Sequence, residues 1–369
     1  MVTPTWEQVR GRRLARSWLL ERGGDVVEIA GSVLGLHAQV QVSAELQLAA
    51  RVTGLVRADV RAALWERREL VKAWTVRGTL HLHPAAELPL WFAARRAVAP
   101  PSGLDAWRDP AGVVHPPLEA EEVAAVRAAV WEVLDGRCLL RDELVAEVVE
   151  RVGPASRTRL ASGFAFFLGD LCHGPPQGTK ITLTRPDQWA PSWHEADESE
   201  ALRDVAQRFL RTYGPARPVD FAEWFGPKPA DARSLFESLE LEEVDVEGHH
   251  AYVLAGDTSF PDAPRRVRLL PEYDVYVMGF REREQLVPER IREQVAAHGR
   301  GRYEGPAGVR FVLVDGVCAG LWERTTRGKR IELRVALARR LTRAQRAELG
   351  EEAERIGSFL GLEPSLVVA

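Results

Sequence analysis

The sequence predicts an α+β fold, mainly helical, with three tandem winged-helix motifs followed by a C-terminal α+β domain built on an antiparallel sheet. Three observations predict it. One order of elements, three helices and then a short strand pair, is written three times between residues 1 and 262, and that order is the winged form of the helix-turn-helix. A Pro- and Gly-rich stretch, PPSGLDAWRDPAGVVHPPLE, separates the first writing from the second. From residue 263 the pattern changes to period-two alternation and closes on one helical segment.

The first motif spans residues 1–100. Thr5 is a candidate N-cap for the helix WEQVRGRRLARSWLL, a second helix is expected over residues 25–36, and a third over residues 44–52 with Ser43 as its cap. After another short helix come two strands, VKAWTV and GTLHLHP. A linker follows at residues 101–118. The second motif, residues 119–194, has the helices EEVAAVRAAVWEVL, RDELVAEVVERV and SRTRLASGFAFFLGDL, then GPPQGTKITLTR as a turn leading into a strand. The third, residues 195–262, has SEALRDVAQRFLRTY, PVDFAEWFG and PADARSLFESL, then a hairpin of LEEVDV and AYVL about Gly248. Pro218 and Pro229 fall in first helical turns, where a missing N–H costs least. In the C-terminal domain, residues 263–369, RRVRLL, YDVYVMGF, VRFVLVDGVCAGLWER and KRIELRVAL read as strands, and TRAQRAELGEEAERIGSFLGL as a capped amphipathic helix.

Composition narrows the function classes. A hydrophobic content of 46% over 369 residues supports more than one packed core and excludes a disordered chain. The net charge of -4 gives no support to nucleic-acid binding, which must then rest on a local basic surface. Arginine supplies nearly all the cations, since the only lysines are Lys72, Lys180, Lys228 and Lys329. Cys138, Cys172 and Cys318 lie far apart with no C-x-x-C spacing, which fits a reducing compartment and argues against a zinc knuckle. The N-terminus has no apolar leader, and no run approaches the ~20 apolar residues that span a bilayer. A cytoplasmic location with no membrane partner is expected.

Several residues are candidates for chemistry. In LGLHAQVQVSAELQ, Gln39 and Gln41 fall between two expected helices. An extended connector with period two turns both amides to one face. The plain reading is two solvated glutamines. His37 and His81 are candidates for lining the same site. In WTVRGTLHLH, alternation sets Trp74, Val76, Leu80 and Leu82 against Thr75, Arg77, Thr79, His81 and His83. His81 and His83 have a spacing that can ligate zinc, but no third ligand is evident, and a solvated or hydrogen-bonded sheet face is the plainer reading. No metal and no cofactor are expected. Arg77 is a candidate phosphate contact. In ERTTRGKR, Arg324, Arg327, Lys329 and Arg330 sit about Gly328 as a basic hairpin tip suited to a DNA groove, or as an ordinary charged turn. Arg281 and Arg283 are weaker DNA-contact candidates. Asp274 reads equally as a structural acceptor or a site carboxylate, and Glu45 as an ordinary first-turn acid.

HAQVQ, WTVRGTLHL, LLPEYDVYVMGFRER and GVCAGLWERTTRGKRIELRV, in this order, resemble the AlkZ-type winged-helix DNA glycosylases, a family that includes the self-resistance glycosylase of azinomycin-producing bacteria. The resemblance covers nearly the whole chain. Its catalytic signature is Gln, an apolar residue, then Gln or Asp, matched here by Gln39-Val40-Gln41. The resemblance implies monofunctional hydrolysis of the N-glycosidic bond of N7-alkylated purines, including bulky or interstrand-crosslinked adducts, without a metal. It implies double-stranded DNA carrying such lesions as the partner, and a role in DNA repair or self-resistance to an alkylating antibiotic. The alternative is a non-catalytic winged-helix transcription regulator. Regulators of that kind are commonly symmetric dimers, and three unequal copies in one chain point instead to a monomer.

Overall fold

The computed structural model describes residues 2–98, 107–108, 112–115, 119–153, 171–190, 193–262, 266–298 and 308–368. Its contacts divide the chain into two units, one made of Met1–Arg61, Ala206–Trp224 and Pro229–Ala369, the other of Ala62–Val205 and Phe225–Lys228.

The first unit is organised by a sheet in the order Val267–Leu270, Phe311–Val314, Val317–Arg327, Arg330–Leu337, Glu363–Val368. The first four strands are antiparallel, as the alternation predicts. The last, EPSLVV, is parallel to its neighbour, so the sheet is mixed rather than purely antiparallel. It can return in the same direction because the helix Arg343–Leu360 makes the crossover that a parallel pair needs. That helix is bounded as its sequence dictates. Thr342 and Gln345 form a capping box, and Gly361 closes it in the left-handed conformation. The Asp315-Gly316 turn joins two strands with both residues at positive φ, the I′ geometry that favours Asp-Gly. A Cβ at Gly316 would also lie 2.9 Å from the Tyr276 hydroxyl, which donates to the Gly316 carbonyl.

One face of this sheet buries Phe311, Leu313 and Leu321 against Leu14, Leu19 and Ala50 from the N-terminal helices and against Tyr276, Phe280, Leu286 and Ile291. Residues 273–280, expected as a strand, form instead the helix Val275–Gly279 with Asp274 as its N-cap. The alternation misleads here because the segment is buried nearly all round, and burial on both faces erases the periodicity that separates strand from helix. In the same unit Trp6 and Val9 pack on the hairpin Leu241–Val246/His249–Leu254. Phe209 packs on Phe221 and Trp224.

In the second unit the strands run in the order Leu80–Pro84, Leu70–Trp74, Cys172–Gln177, Lys180–Thr184, Leu139–Leu140. The strand pairs of the first two motifs thus share one sheet, joined at Ala73 and Cys172, instead of forming separate wings. Joining them satisfies an edge that each pair alone would leave open. One face covers Val71, Ala73, Leu88, Phe92, Cys172 and Trp189. Helices Ala120–Val133 and Arg141–Val152 pack with Leu139, Leu171 and Leu183 in a second cluster. The helix expected over residues 156–171 lies outside the described residues apart from Leu171. So does most of the linker at 101–118, whose described parts, Trp107–Arg108 and Val114–His115, pair as a short antiparallel ladder. Cys138, Cys172 and Cys318 carry free thiols. Among the described residues no helix is long and apolar enough to cross a membrane.

Candidate active site

The helix Val26–Ser32 ends in two left-handed residues, Leu34 and Gly35, that turn the chain into the short strand Leu36–His37. The next helix is Gln41–Ala49, starting three residues before the expected position. Its N-cap is Val40, extended at φ -108 and ψ 109, which has no side-chain acceptor to offer. Packing replaces the cap, for every residue from Ser43 to Ala49 is buried. Ser43, expected as the cap, lies inside the first turn, and its hydroxyl donates to the Glu272 carbonyl. Gln39 is therefore exposed in a bend, and Gln41 is the half-buried first residue of the helix. Gln39 lies in a bend and Gln41 in a helix, so the two glutamines do not share one extended connector.

Beneath Gln41 lies a charged cluster. Glu45, one turn further along the same helix, is 1% exposed, and its Oε1 accepts from Gln41 Nε2 at 3.5 Å. Its Oε2 takes Arg57 Nε at 2.5 Å, while Arg61 Nε stands 3.8 Å from Oε1. Glu272 takes Arg310 through Nε at 2.7 Å and Nη2 at 3.2 Å, and Arg310 lies over the Trp322 ring. Arg324 faces this same group. Burial draws its guanidinium below the usual value, with Arg310 and Arg57 adding to the effect while Glu272 and Glu45 oppose it. Arg57, Arg61, Arg310 and Arg324 against Glu45 and Glu272 give this cluster an excess of positive charge, a setting suited to phosphate.

A second network holds the strand and helix together. Gln47 donates to the His37 carbonyl at 3.0 Å and accepts from Val275 N at 3.3 Å. His37 is buried and stacks on Tyr273, with ring centroids 4.8 Å apart. Tyr273 sits at φ 60, a left-handed conformation that costs a non-glycine residue of order 1 kcal/mol. Asp274 is fully buried in a bidentate pair with Arg51 and also accepts from Tyr276 N at 2.9 Å. Of its two sequence readings, the geometry is that of a structural acceptor.

The other candidates separate. Arg281 pairs with Glu223, and Arg283 donates to the Val277 carbonyl at 2.6 Å. The basic hairpin forms as expected, turning at Gly328 and Lys329 between paired Arg327 and Arg330. Arg327 and Lys329 are exposed at the tip, and Arg330 pairs with Glu363 at 3.1 Å. Arg324 is not at the tip. It lies three residues before Arg327, in register with buried Leu333, on the face that points inward. Strand alternation was enough to foresee this split.

Arg77, His81 and His83 belong to the second unit. Arg77 is exposed in a turn at φ 52 rather than on a strand, because the strand ends at Trp74. The face carrying His81 and His83 is buried, not solvated. His83 Nε2 lies 2.8 Å from Thr75 Oγ1 and its ring 4.3 Å from Trp91, while His81 Nδ1 lies 3.0 Å from the Thr79 carbonyl. Among the described residues no group of three or more His, Cys, Asp or Glu side chains is placed to hold a metal ion.

Sequence reasoning missed Arg57, Arg310 and Glu272, and misplaced Glu45. The signal for Glu45 was its spacing of four from Gln41, legible once the helix is known to begin at Gln41. Arg310 and Glu272 are joined only by the fold.

The family described as "DNA glycosylase AlkZ-like" matches residues 30–359. An interstrand DNA cross-link repair glycosylase of Streptomyces sahachiroi is 31% identical over 338 residues, covering 86% of this chain and 88% of the relative. The solved structure of the Streptomyces sahachiroi DNA glycosylase AlkZ superposes with a TM-score of 0.77 at 28% identity, covering 100% of both chains. This fold, with these matches, is that of a DNA glycosylase, a hydrolase of N-glycosyl bonds. The chain belongs to the AlkZ-like family. The match does not favour a non-catalytic regulator.

Proposed function

We propose that the chain is a monofunctional glycosylase for N7-alkylated purines, including bulky and interstrand-crosslinked adducts, in DNA repair or in self-resistance to an alkylating antibiotic. The observation that carries this reading is the Gln39-Val40-Gln41 segment, one side chain exposed and the next in contact with Glu45, itself part of an arginine-rich cluster. The similarity to the interstrand cross-link repair glycosylase of Streptomyces sahachiroi supports the bulky-lesion part.

Alkylation at N7 makes the purine cationic. When the C1′–N9 bond breaks, its electron pair stays on the base, which leaves neutral and needs no general acid. The sugar passes through an oxocarbenium-like state, water adds at C1′, and the surplus proton goes to solvent. A glutamine has no useful pKa for proton transfer, but its amide oxygen can accept from a water and face developing positive charge. Two neutral amides suffice only for a leaving group that is already activated, which spares normal bases. A crosslinked purine is tied to both strands, so flipping it fully would drag the second strand along; approach from a groove is the expected mode.

The helix–helix–helix–hairpin order of residues 198–254 supports reading the third segment as a winged helix. The first two segments, the linker and the C-terminal domain keep the proposed boundaries 1–100, 101–118, 119–194 and 263–369. The working form is proposed to be a cytoplasmic monomer.

The test is incubation with a duplex containing N7-methylguanine and with its crosslinked counterpart. Release of free base, leaving an unbroken abasic strand, supports the reading. DNA binding without base release contradicts it. Excess EDTA is expected to leave excision intact, and a loss restored by zinc would return His81 and His83 to consideration.

A further inference from the structure

We propose that Glu45 is a positioning residue that sets which end of the Gln41 amide faces the reacting sugar. This rests on the reading of Gln41 as a group that orients water. The two residues are four apart on one helix, so their side chains share a face. The 3.5 Å contact from Gln41 Nε2 to Glu45 Oε1 is long for a hydrogen bond, but a buried carboxylate attracts an amide dipole at that range.

The selectivity follows from donor and acceptor inventory. An amide has one donating and one accepting end, and a rotation about its last bond exchanges them. An ionised carboxylate only accepts. Glu45 therefore holds the NH2 end and turns the Gln41 oxygen away from itself. That oxygen is the end that accepts from water and faces positive charge. The reversed amide would present N–H groups to a cationic sugar, which is unfavourable in sign.

The carboxylate is itself held in place. Glu45 is 1% exposed, with Oε2 committed to Arg57 and Oε1 shared between Gln41 and Arg61. Arg324 faces the group from the inner side of the hairpin, beside the Arg310–Glu272 pair.

The experiment is a double-mutant cycle of Gln41→Ala and Glu45→Gln, read as single-turnover excision of N7-methylguanine from a duplex. A glutamine at 45 can donate or accept and no longer selects an orientation. Glu45→Gln is expected to slow excision about tenfold, the scale of one hydrogen bond to a charged group, with DNA affinity unchanged. It should cost nothing further in the Gln41→Ala background. Glu45→Asp, which keeps the charge but withdraws it by one methylene, is expected to fall between wild type and Glu45→Gln, and it carries the test should Glu45→Gln not fold.

A pH profile separates this from a merely structural role. In a Gln41→Asp chain, excision should rise with pH as the new carboxylate ionises. Adding Glu45→Gln removes a like charge, so the midpoint should fall by about one unit. Arg57, Arg61, Arg310, Glu272 and Arg324 are present in both backgrounds, so the difference isolates Glu45. If Gln41→Ala slows excision but the Glu45 variants do not, or if their losses simply add, the positioning role is overturned and the Gln41 reading stands. If Gln41→Ala excises at the wild-type rate, the underlying reading fails.

Discussion

Arg51 and Asp274 form a bidentate ion pair at 2.7 and 2.8 Å in which neither side chain is exposed to solvent. Arg51 also donates to the carbonyls of Ser17 and Gln47, and Asp274 accepts from Tyr276 N. A pair this buried adds little against an apolar replacement of both partners, but removing one leaves an uncompensated charge. Asp274→Ala is expected to lower the unfolding free energy by about 3–5 kcal/mol, measured by urea titration. Excision per folded molecule should be unaffected. Lost excision at unchanged stability would make Asp274 a site carboxylate instead.

The hairpin cations are expected to differ from one another. Arg327 and Lys329 are exposed at the turn, so replacing each by Ala should reduce the slope of log affinity against log salt by about one unit. Arg330 competes with Glu363 for its charge, so Arg330→Ala should change the slope less. Arg324, on the inner face, should affect excision more than it affects the salt slope. Equal slopes for wild type and the Arg327→Ala/Lys329→Ala double variant would mean that the tip does not touch the phosphate backbone.

Acid sensitivity has a specific source in the second unit. His173 is buried beside the edge of Trp74, and neither ring nitrogen has a hydrogen-bond partner among the described residues. Burial, with a smaller push from Lys72, draws its pKa down to about 3. A folded value below the unfolded one, about 6.5, means that the unfolded chain binds the proton more readily between these limits. The stability associated with neutral His173 is thus fully present above pH 6.5 and is lost as pH falls toward 3. His173→Leu should flatten the dependence of Tm on pH between about 6 and 4, and an unchanged slope would contradict the assignment.

Much of the fold was legible where local chemistry decides it. The Thr342–Gln345 capping box and Gly361 bound the long helix, and Gly328 marks the basic hairpin; the Asp315-Gly316 turn, which divides the stretch expected as a single strand into two, carries the same kind of signal but was not read. Legibility ended where packing overrides local signals. Val40 caps a helix without a capping side chain because the next turns are buried, which displaced the expected cap to Ser43 and hid the Gln41–Glu45 relation. Asp274 could not be assigned because its partner, Arg51, is distant in sequence. The last strand was missed because EPSLVV acquires its role only through parallel pairing with residues 330–335. The Gln-x-Gln segment itself was visible, but its chemical meaning came from family resemblance, since two glutamines two apart are common in any connector.

Single-turnover excision of N7-methylguanine by Gln39→Ala and Gln41→Ala tests the catalytic role of those two amides most directly. Each substitution is expected to slow excision roughly ten- to a thousandfold, the scale for one positioned or charge-stabilising group. DNA affinity and Tm should barely change, because Gln39 is exposed and Gln41 only half-buried. Wild-type excision rates in both variants would place the chemistry elsewhere and contradict the account.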